Sequence, residues 1–360
     1  MTNYLLAGGG TAGHVNPLLA LADRIKQDST SHNVYALGTA EGLEKELVPA
    51  SGYQLLTIAR LPFPRRLNSY ALRFPKSLSA AIKQCEQILR EKQINVVVGF
   101  GGYASAPAYL AAKRLGVPVV VHEANALPGW ANKLGSKFAA ATAVAFKSTP
   151  IKGATFAGMP LRKEIQQLAA AVKSPGFDKS AARVHFGLDP KTITLLVTGG
   201  SLGAKKINQT IEASRKLLSA AGIQVLHIVG GKSEFEEVAN AEYQRIKYCD
   251  RMDLAIAASD FAVSRAGAST VSEFAAVGLP AVYVPYPVGN GEQKFNVQDL
   301  VDAGGGLMVA DAAFTPEYVA EKLVPLMSNS KVLSAMQSAA RDNGVADGTD
   351  RLFMLVQGVL

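Results

Sequence analysis

Short, nearly uninterrupted apolar runs alternate with amphipathic stretches along the chain. Tyr4–Ala7, Val34–Leu37, Val96–Val98 and Val117–Val121 are apolar at successive positions rather than every second one. That pattern predicts strands covered on both faces, as in a parallel sheet. Pro17–Gln27 and Ser77–Lys92 read as helices between them. The alternation restarts at Ile193–Thr198 and continues through Gln224–Val229, Phe261–Val263 and Ala281–Val284. Lys205–Ala220, Thr270–Ala276 and Pro316–Met327 are the helices of this second series. Strand–helix alternation predicts doubly wound α/β units.

Both series open alike: a short strand, a glycine-rich turn, then a helix. The turns are Gly8-Gly9-Gly10-Thr11-Ala12-Gly13 and Gly199-Gly200-Ser201-Leu202-Gly203-Ala204. Half a chain separates them, which predicts two similar α/β domains facing a cleft. We place the domains at 1–158 and 159–344, with a surface loop at Lys173–Lys179 and a helix near Thr349–Gln357, within 345–360, packing back on the first domain. A glycine-rich turn at a helix start offers free N–H groups and the positive end of the helix dipole, which suit phosphate; alternatively, such glycines merely permit tight turns. Gly8, Gly10 and Gly13 formally fit the dinucleotide spacing. That chemistry also asks for an acid at the end of the second strand. Here the strand ends Leu37-Gly38-Thr39, with Glu41 only in the following turn, so a nicotinamide cofactor is disfavoured.

Composition narrows the picture a little. The 360 residues suit two domains. No apolar run is long enough to span a bilayer, and no basic leader precedes the first strand, so a signal peptide is not expected. Cys85 and Cys249 lie far apart without metal-ligand spacing and read as reduced thiols. The net charge of +8 points to nucleic acid, anionic lipid or a phosphate-bearing substrate. No nucleic-acid signature accompanies it, so no nucleic-acid partner is expected. No Asp-x-Asp pair suggests a metal, and neither metal nor cofactor is expected.

A more specific signal comes from an ordered set of motifs. Gly9-Gly10-Thr11-Ala12-Gly13-His14-Val15-Asn16-Pro17 closely resembles the first loop of the MurG family. These are bacterial transferases that move N-acetylglucosamine from a UDP donor to a lipid-linked N-acetylmuramyl-pentapeptide. Gly99–Pro107, His122-Glu123-Ala124-Asn125, Gly158-Met159-Pro160-Leu161-Arg162, the second glycine-rich turn, Arg265–Glu273 and Gly291–Asn296 then match in order. Single motifs are shared with other nucleotide-sugar enzymes, whereas the ordered set is specific. The family often carries Gln where Ala124 and Leu202 stand, so each departure removes an amide from the expected ligand's surroundings.

The resemblance implies a GT-B fold, two Rossmann-like domains with UDP-N-acetylglucosamine held mainly by the second. Ser201 and Gly203 would meet the donor phosphates, unless Ser201 only caps its helix. Glu273 would accept both hydroxyls of the ribose, or else be an ordinary first-turn acid favoured by the helix dipole. Ala268, Ser269, Thr270, Val271 and Ser272 would line the same helix start. Arg265 is either a phosphate partner or a structural ion pair. Arg162 would offset charge on the leaving UDP with a guanidinium that binds phosphate in bidentate fashion. Gln293 and Asn125 would read sugar hydroxyls, and Cys249 would meet the uracil through its backbone. Thr11, Ala12, Gly13 and Tyr103 complete the substrate contacts. His14 either accepts the proton of the attacking hydroxyl or shapes its loop. Glu123, with His122, would orient the acceptor. The implied reaction is a single displacement with inversion, forming the disaccharide lipid of peptidoglycan synthesis. An epimerase of the same fold, an NAD-dependent oxidoreductase and a non-catalytic nucleotide-sugar or lipid-binding protein are the rivals.

From Leu47 to Cys85 the chain has no acidic residue, yet it carries Arg60, Arg65, Arg66, Arg73, Lys76 and Lys83. Leu61, Phe63, Leu67, Tyr70, Leu72 and Phe74 lie among them. Basic and bulky apolar residues side by side suit an anionic bilayer interface. The 60–76 segment is therefore expected either to dock the protein peripherally on the cytoplasmic face of the bacterial cell membrane or to cover its own core.

Overall fold

A computed structural model describes residues 1–64, 68–200, 203–288 and 291–360. The chain forms two compact units, Met1–Arg162 with Asp347–Leu360, and Lys163–Ala346.

In the first unit, β1 (Asn3–Gly8), β2 (Asn33–Thr39), β3 (Gln54–Ile58), β4 (Val96–Gly101), β5 (Val119–Glu123), β6 (Ala141–Val144) and β7 (Thr155–Phe156) form a sheet of order β3-β2-β1-β4-β5-β6-β7. All its pairings are parallel. Its central strands are buried along their length, Leu5, Leu6, Val97, Val98 and Val120 being fully enclosed. This burial on both faces explains why they read as continuous apolar runs. Helix Gly348–Gln357 completes one of the two cores, placing Leu352, Phe353 and Val356 among Leu18, Leu21 and Val98. Arg24 holds this helix from helix Ala12–Asp28. Its guanidinium meets Asp350 at 2.5 Å and lies 4.2 Å from the centre of the Phe353 ring. Thr349 Oγ1 is 3.1 Å from both N and O of Leu161, tying the helix start to the strand-exit segment.

The second unit repeats the plan. Its strands are β8 (Thr194–Thr198), β9 (Gln224–Ile228), β10 (Val238–Ala239), β11 (Tyr243–Ile246), β12 (Phe261–Ser264), β13 (Ala281–Tyr283) and β14 (Gly306–Met308). They lie in the order β10-β11-β9-β8-β12-β13-β14, with only the β10–β11 pair antiparallel. Two Rossmann-like units, each with the chain order reversing beside its first strand, establish the expected fold class. In such sheets ligand sites gather at strand C-termini near that reversal.

Several element bounds differ from expectation. The helix expected at Ser77–Lys92 begins at Ser69, because the Asn68 side chain accepts the Ala71 N–H at 3.0 Å and caps it. The helix expected over Lys205–Ala220 is two, Lys205–Ala213 and Arg215–Ala220; Ser214 Oγ donates back to the Thr210 carbonyl at 2.8 Å where they meet. The stretch around Pro316–Met327 is interrupted by a π-helical segment, Val319–Leu323.

Candidate functional site

In the first unit, the ends of β1, β2 and β4 meet at one turn. β1 runs into Gly8-Gly9-Gly10-Thr11 and then helix Ala12–Asp28, whose third residue is His14. Ala12, Gly13 and His14 are half-buried, while Thr11 is exposed. A side chain at Gly102 would meet the Gly9 carbonyl at 2.6 Å, so the turns after β1 and β4 pack backbone against backbone. Gly101 and Gly102 also take φ of +92° and +84°. Tyr103 follows them, its ring 4.9 Å below the guanidinium of Arg60.

His14 Nδ1 lies 2.9 Å from the Gly9 carbonyl oxygen. A carbonyl only accepts, so Nδ1 carries the proton and Nε2 keeps its lone pair. The Gly10 N–H donates to Glu44 Oε2 at 2.7 Å. Glu44 Oε1 accepts from the Thr39 N–H and hydroxyl, both at 2.8 Å. Sequence reasoning missed Glu44 altogether. The Gly10 amide, read as free for phosphate, is instead taken by this internal carboxylate. Gly9, Gly38 and Gly42 surround the carboxylate so closely that any side chain there would run into it. Burial pushes the Glu44 carboxyl up, but the Gly10 and Thr39 amides and the Thr39 hydroxyl outweigh it and hold it below the usual carboxylate range.

Glu123 ends β5 and is buried. Its carboxylate accepts from the Asn125 N–H at 2.8 Å, the Gly129 N–H at 2.9 Å and Asn132 Nδ2 at 2.9 Å. Tyr109 donates to Asn132 Oδ1 at 2.8 Å, extending the network into helix Ser105–Leu115. Glu123 thus organises the turn that carries Asn125 and Ala124. His122 is fully enclosed, and its Nε2 donates to the Gly158 carbonyl at 2.9 Å. Burial lowers its pKa to about 4, keeping the ring neutral at pH 7. Arg162 is half-buried where the Gly158–Leu161 segment ends, with Gly158 at φ +83°.

In the second unit, Ser201 and Leu202 lie outside the described residues. Beside them Gly203, at φ +82°, packs where a side chain would strike the Val229 carbonyl. Helix Ala268–Val277 follows β12 and begins at Gly267, which supplies no side-chain cap. Its first-turn N–H groups, those of Ala268, Ser269 and Thr270, lack intrahelical acceptors. Ser269 Oγ is enclosed and has no hydrogen-bond partner among the described residues. Val271 is buried, and Ser272 is half-buried. Glu273 is the sixth residue of the helix and only 9 % exposed. It is therefore not the first-turn acid of the alternative reading, because the helix starts earlier than expected. Arg265 forms the ion pair that the structural alternative expects. Its Nη1 meets Asp311 at 2.5 Å and the Val284 carbonyl at 3.0 Å. Gln293 accepts the Tyr286 N–H at 2.9 Å, and Cys249 is buried.

The 60–76 segment divides. Leu61 and Phe74 turn into the core, whereas Phe63, Tyr70 and Leu72 are exposed, Leu72 by 87 %. Arg73 and Lys76 are exposed beside them. Arg60 pairs with Glu41 at 3.4 Å, so its charge is partly offset. Trp130, from outside the expected segment, stacks on Phe63 at 4.5 Å. Arg65, Arg66 and Leu67 lie outside the described residues.

Comparison with known proteins agrees with this architecture. Residues 4–144 match the glycosyltransferase family 28 N-terminal domain, and residues 194–352 match its C-terminal domain. The chain is 53 % identical to a protein of Leifsonia xyli subsp. xyli over 99 % of this chain and 98 % of that one. It is 54 % identical to a protein of Clavibacter sepedonicus, over 99 % and 96 %. Both are named UDP-N-acetylglucosamine–N-acetylmuramyl-(pentapeptide) pyrophosphoryl-undecaprenol N-acetylglucosamine transferase. Among solved structures, Acinetobacter baumannii MurG superposes with a TM-score of 0.77 at 26 % identity, covering 99 % of this chain and all of that one. The calicheamicin glycosyltransferase CalG4, at 17 % identity and TM-score 0.72 over 100 % and 98 %, shares the fold. The two sheets, the two domain matches and the full-length identities together place this chain in the MurG family of glycosyltransferases.

Proposed function

We propose that the chain moves N-acetylglucosamine from UDP-N-acetylglucosamine to the C4 hydroxyl of lipid-linked N-acetylmuramyl-pentapeptide, with inversion. The observation that carries this reading is full-length identity of 53 % and 54 % to transferases so named. The domains of the sequence reading take separate tasks: residues 1–158, with 345–360, serve the acceptor and the membrane, and residues 159–344 hold the donor.

The chemistry follows from the groups described. His14 Nε2 takes the proton of the acceptor hydroxyl as its oxygen bonds to the anomeric carbon. The bond from that carbon to the diphosphate breaks, and UDP leaves with the electron pair. Arg162 and the N–H groups at the start of helix Ala268–Val277 offset its charge. Glu273 holds the ribose hydroxyls, the Cys249 backbone meets the uracil, and Ser201 and Gly203 meet the phosphates. Ser269, Thr270, Val271, Ser272 and Gln293 complete the donor contacts. Thr11, Ala12, Gly13, Tyr103 and Asn125 serve the acceptor. Glu123 acts as a positioning residue, since three donors already occupy its carboxylate. The mechanism calls on no metal or cofactor.

Phe63, Tyr70, Leu72 and Trp130, with Arg73 and Lys76, form the face that meets an anionic bilayer on its cytoplasmic side. No helix among the described residues is long and apolar enough to cross a membrane. The decisive assay incubates the protein with UDP-N-acetylglucosamine and a short-chain lipid acceptor and measures disaccharide lipid and UDP. Stoichiometric appearance of both is expected. Conversion of the donor sugar without acceptor would establish the epimerase reading instead, which the full-length identities already disfavour.

A further inference from the structure

We propose that Glu44 is a positioning residue for His14, acting through the single peptide group that joins Gly9 to Gly10. The inference rests on the reading of His14 as the base. Both ends of that peptide are engaged: its N–H donates to Glu44 Oε2 at 2.7 Å, and its C=O accepts from His14 Nδ1 at 2.9 Å. A carboxylate that accepts an amide proton draws electron density toward the carbonyl oxygen, and hydrogen bonds chained in this way strengthen one another. The more negative oxygen fixes the Nδ1–H tautomer, leaves the Nε2 lone pair for the acceptor hydroxyl and stabilises the imidazolium that proton transfer creates. The arrangement is a carboxylate–imidazole pair with one peptide inserted.

The surroundings show that the contact is built. Three glycines clear space for the carboxylate, and Thr39 fixes its second oxygen with two hydrogen bonds. The direction of the Glu44 shift keeps the group charged at neutral pH. Other charged groups on elements packed near the loop are committed elsewhere. Glu123 of β5 is held by Asn125, Gly129 and Asn132, and Arg60 is held by Glu41 and covers Tyr103. Glu44 is therefore the anionic side chain bonded to the peptide that orients His14.

The test is a histidine-labelled NMR titration of the full chain, with kinetics alongside. Glu44→Gln keeps the length of the side chain, removes the charge and exchanges one of its two accepting oxygens for a donor amide. The His14 ring signals of the variant are expected to titrate at lower pH than those of wild type. kcat should drop several-fold, with KM for UDP-N-acetylglucosamine unchanged and the acid limb of the kcat profile moving to lower pH. Thr39→Val, which removes one bond to the other oxygen and leaves the charge, should keep the His14 titration in place. A purely structural carboxylate predicts the reverse: an unmoved His14 titration in folded Glu44→Gln, and that result overturns the inference. Should Glu44→Gln not fold, the wild type decides. A Nδ1–H tautomer with a downfield Gly10 amide proton supports the inference, and a Nε2–H tautomer overturns it. Failure of the base reading is separable: full turnover by His14→Gln would remove the base and leave the titration arm intact.

Discussion

Ser269→Ala makes two measurements move in opposite directions. The Ser269 hydroxyl is enclosed at the start of helix Ala268–Val277 without a hydrogen-bond partner among the described residues. An unpartnered buried hydroxyl costs about 1–3 kcal/mol. Removing it should therefore stabilise the ligand-free protein by about 1 kcal/mol, and the helix preference for Ala adds a few tenths. For a unit of this size the gain raises Tm by about 2–4 °C. If the hydroxyl bonds the donor, its loss weakens UDP-N-acetylglucosamine by about tenfold, or about 1.4 kcal/mol. At saturating ligand the stabilisation by mass action falls by the same amount. The variant should thus melt above wild type when free and close to it when loaded. Differential scanning fluorimetry across a donor titration, with calorimetry for Kd, reads both effects. A lower Tm for the free variant, or an unchanged ligand increment, refutes the reasoning.

Further outcomes follow from the same structure. His14→Gln should lower kcat by about 100-fold or more with KM for the donor little changed, measured by UDP release. Glu273→Ala should weaken UDP-N-acetylglucosamine by more than tenfold while leaving acceptor-side contacts intact, read by calorimetry. His122, at about 4, sits below the ordinary histidine value. The unfolded chain then binds the extra proton between about pH 6.5 and 4, so stability falls as pH drops through that window. The effect is roughly 3 kcal/mol at its limit. The urea midpoint of wild type should drop between pH 7 and 5 more than that of His122→Gln. Trp130 is the only tryptophan, so its emission should shift to the blue on anionic vesicles, and Leu72→Glu should abolish the shift.

The sheet cores were legible because strands buried on both faces have little freedom in composition. Val96–Val98 and Gln224–Val229 fell within a residue or two of the observed elements at their N-terminal ends. The half-exposed β3 and the two-residue β10 carry no such run and passed unread. Local chemistry also misled at helix starts. The helix read as starting at Ser77 begins at Ser69, capped by Asn68. Among site residues, those in glycine-rich turns announced themselves. Glu44 did not, since its partner lies 34 residues away and nothing about one acid in a polar turn reveals that contact. Arg265 shows the converse limit, as only the fold brings Asp311 against it.

The chain leaves its first unit at Arg162 and returns at Asp347. Leu352, Phe353 and Val356 therefore reach the first sheet only after the whole second unit has been synthesised. One core of the unit translated first is therefore completed only by residues from the last stretch of chain to leave the ribosome.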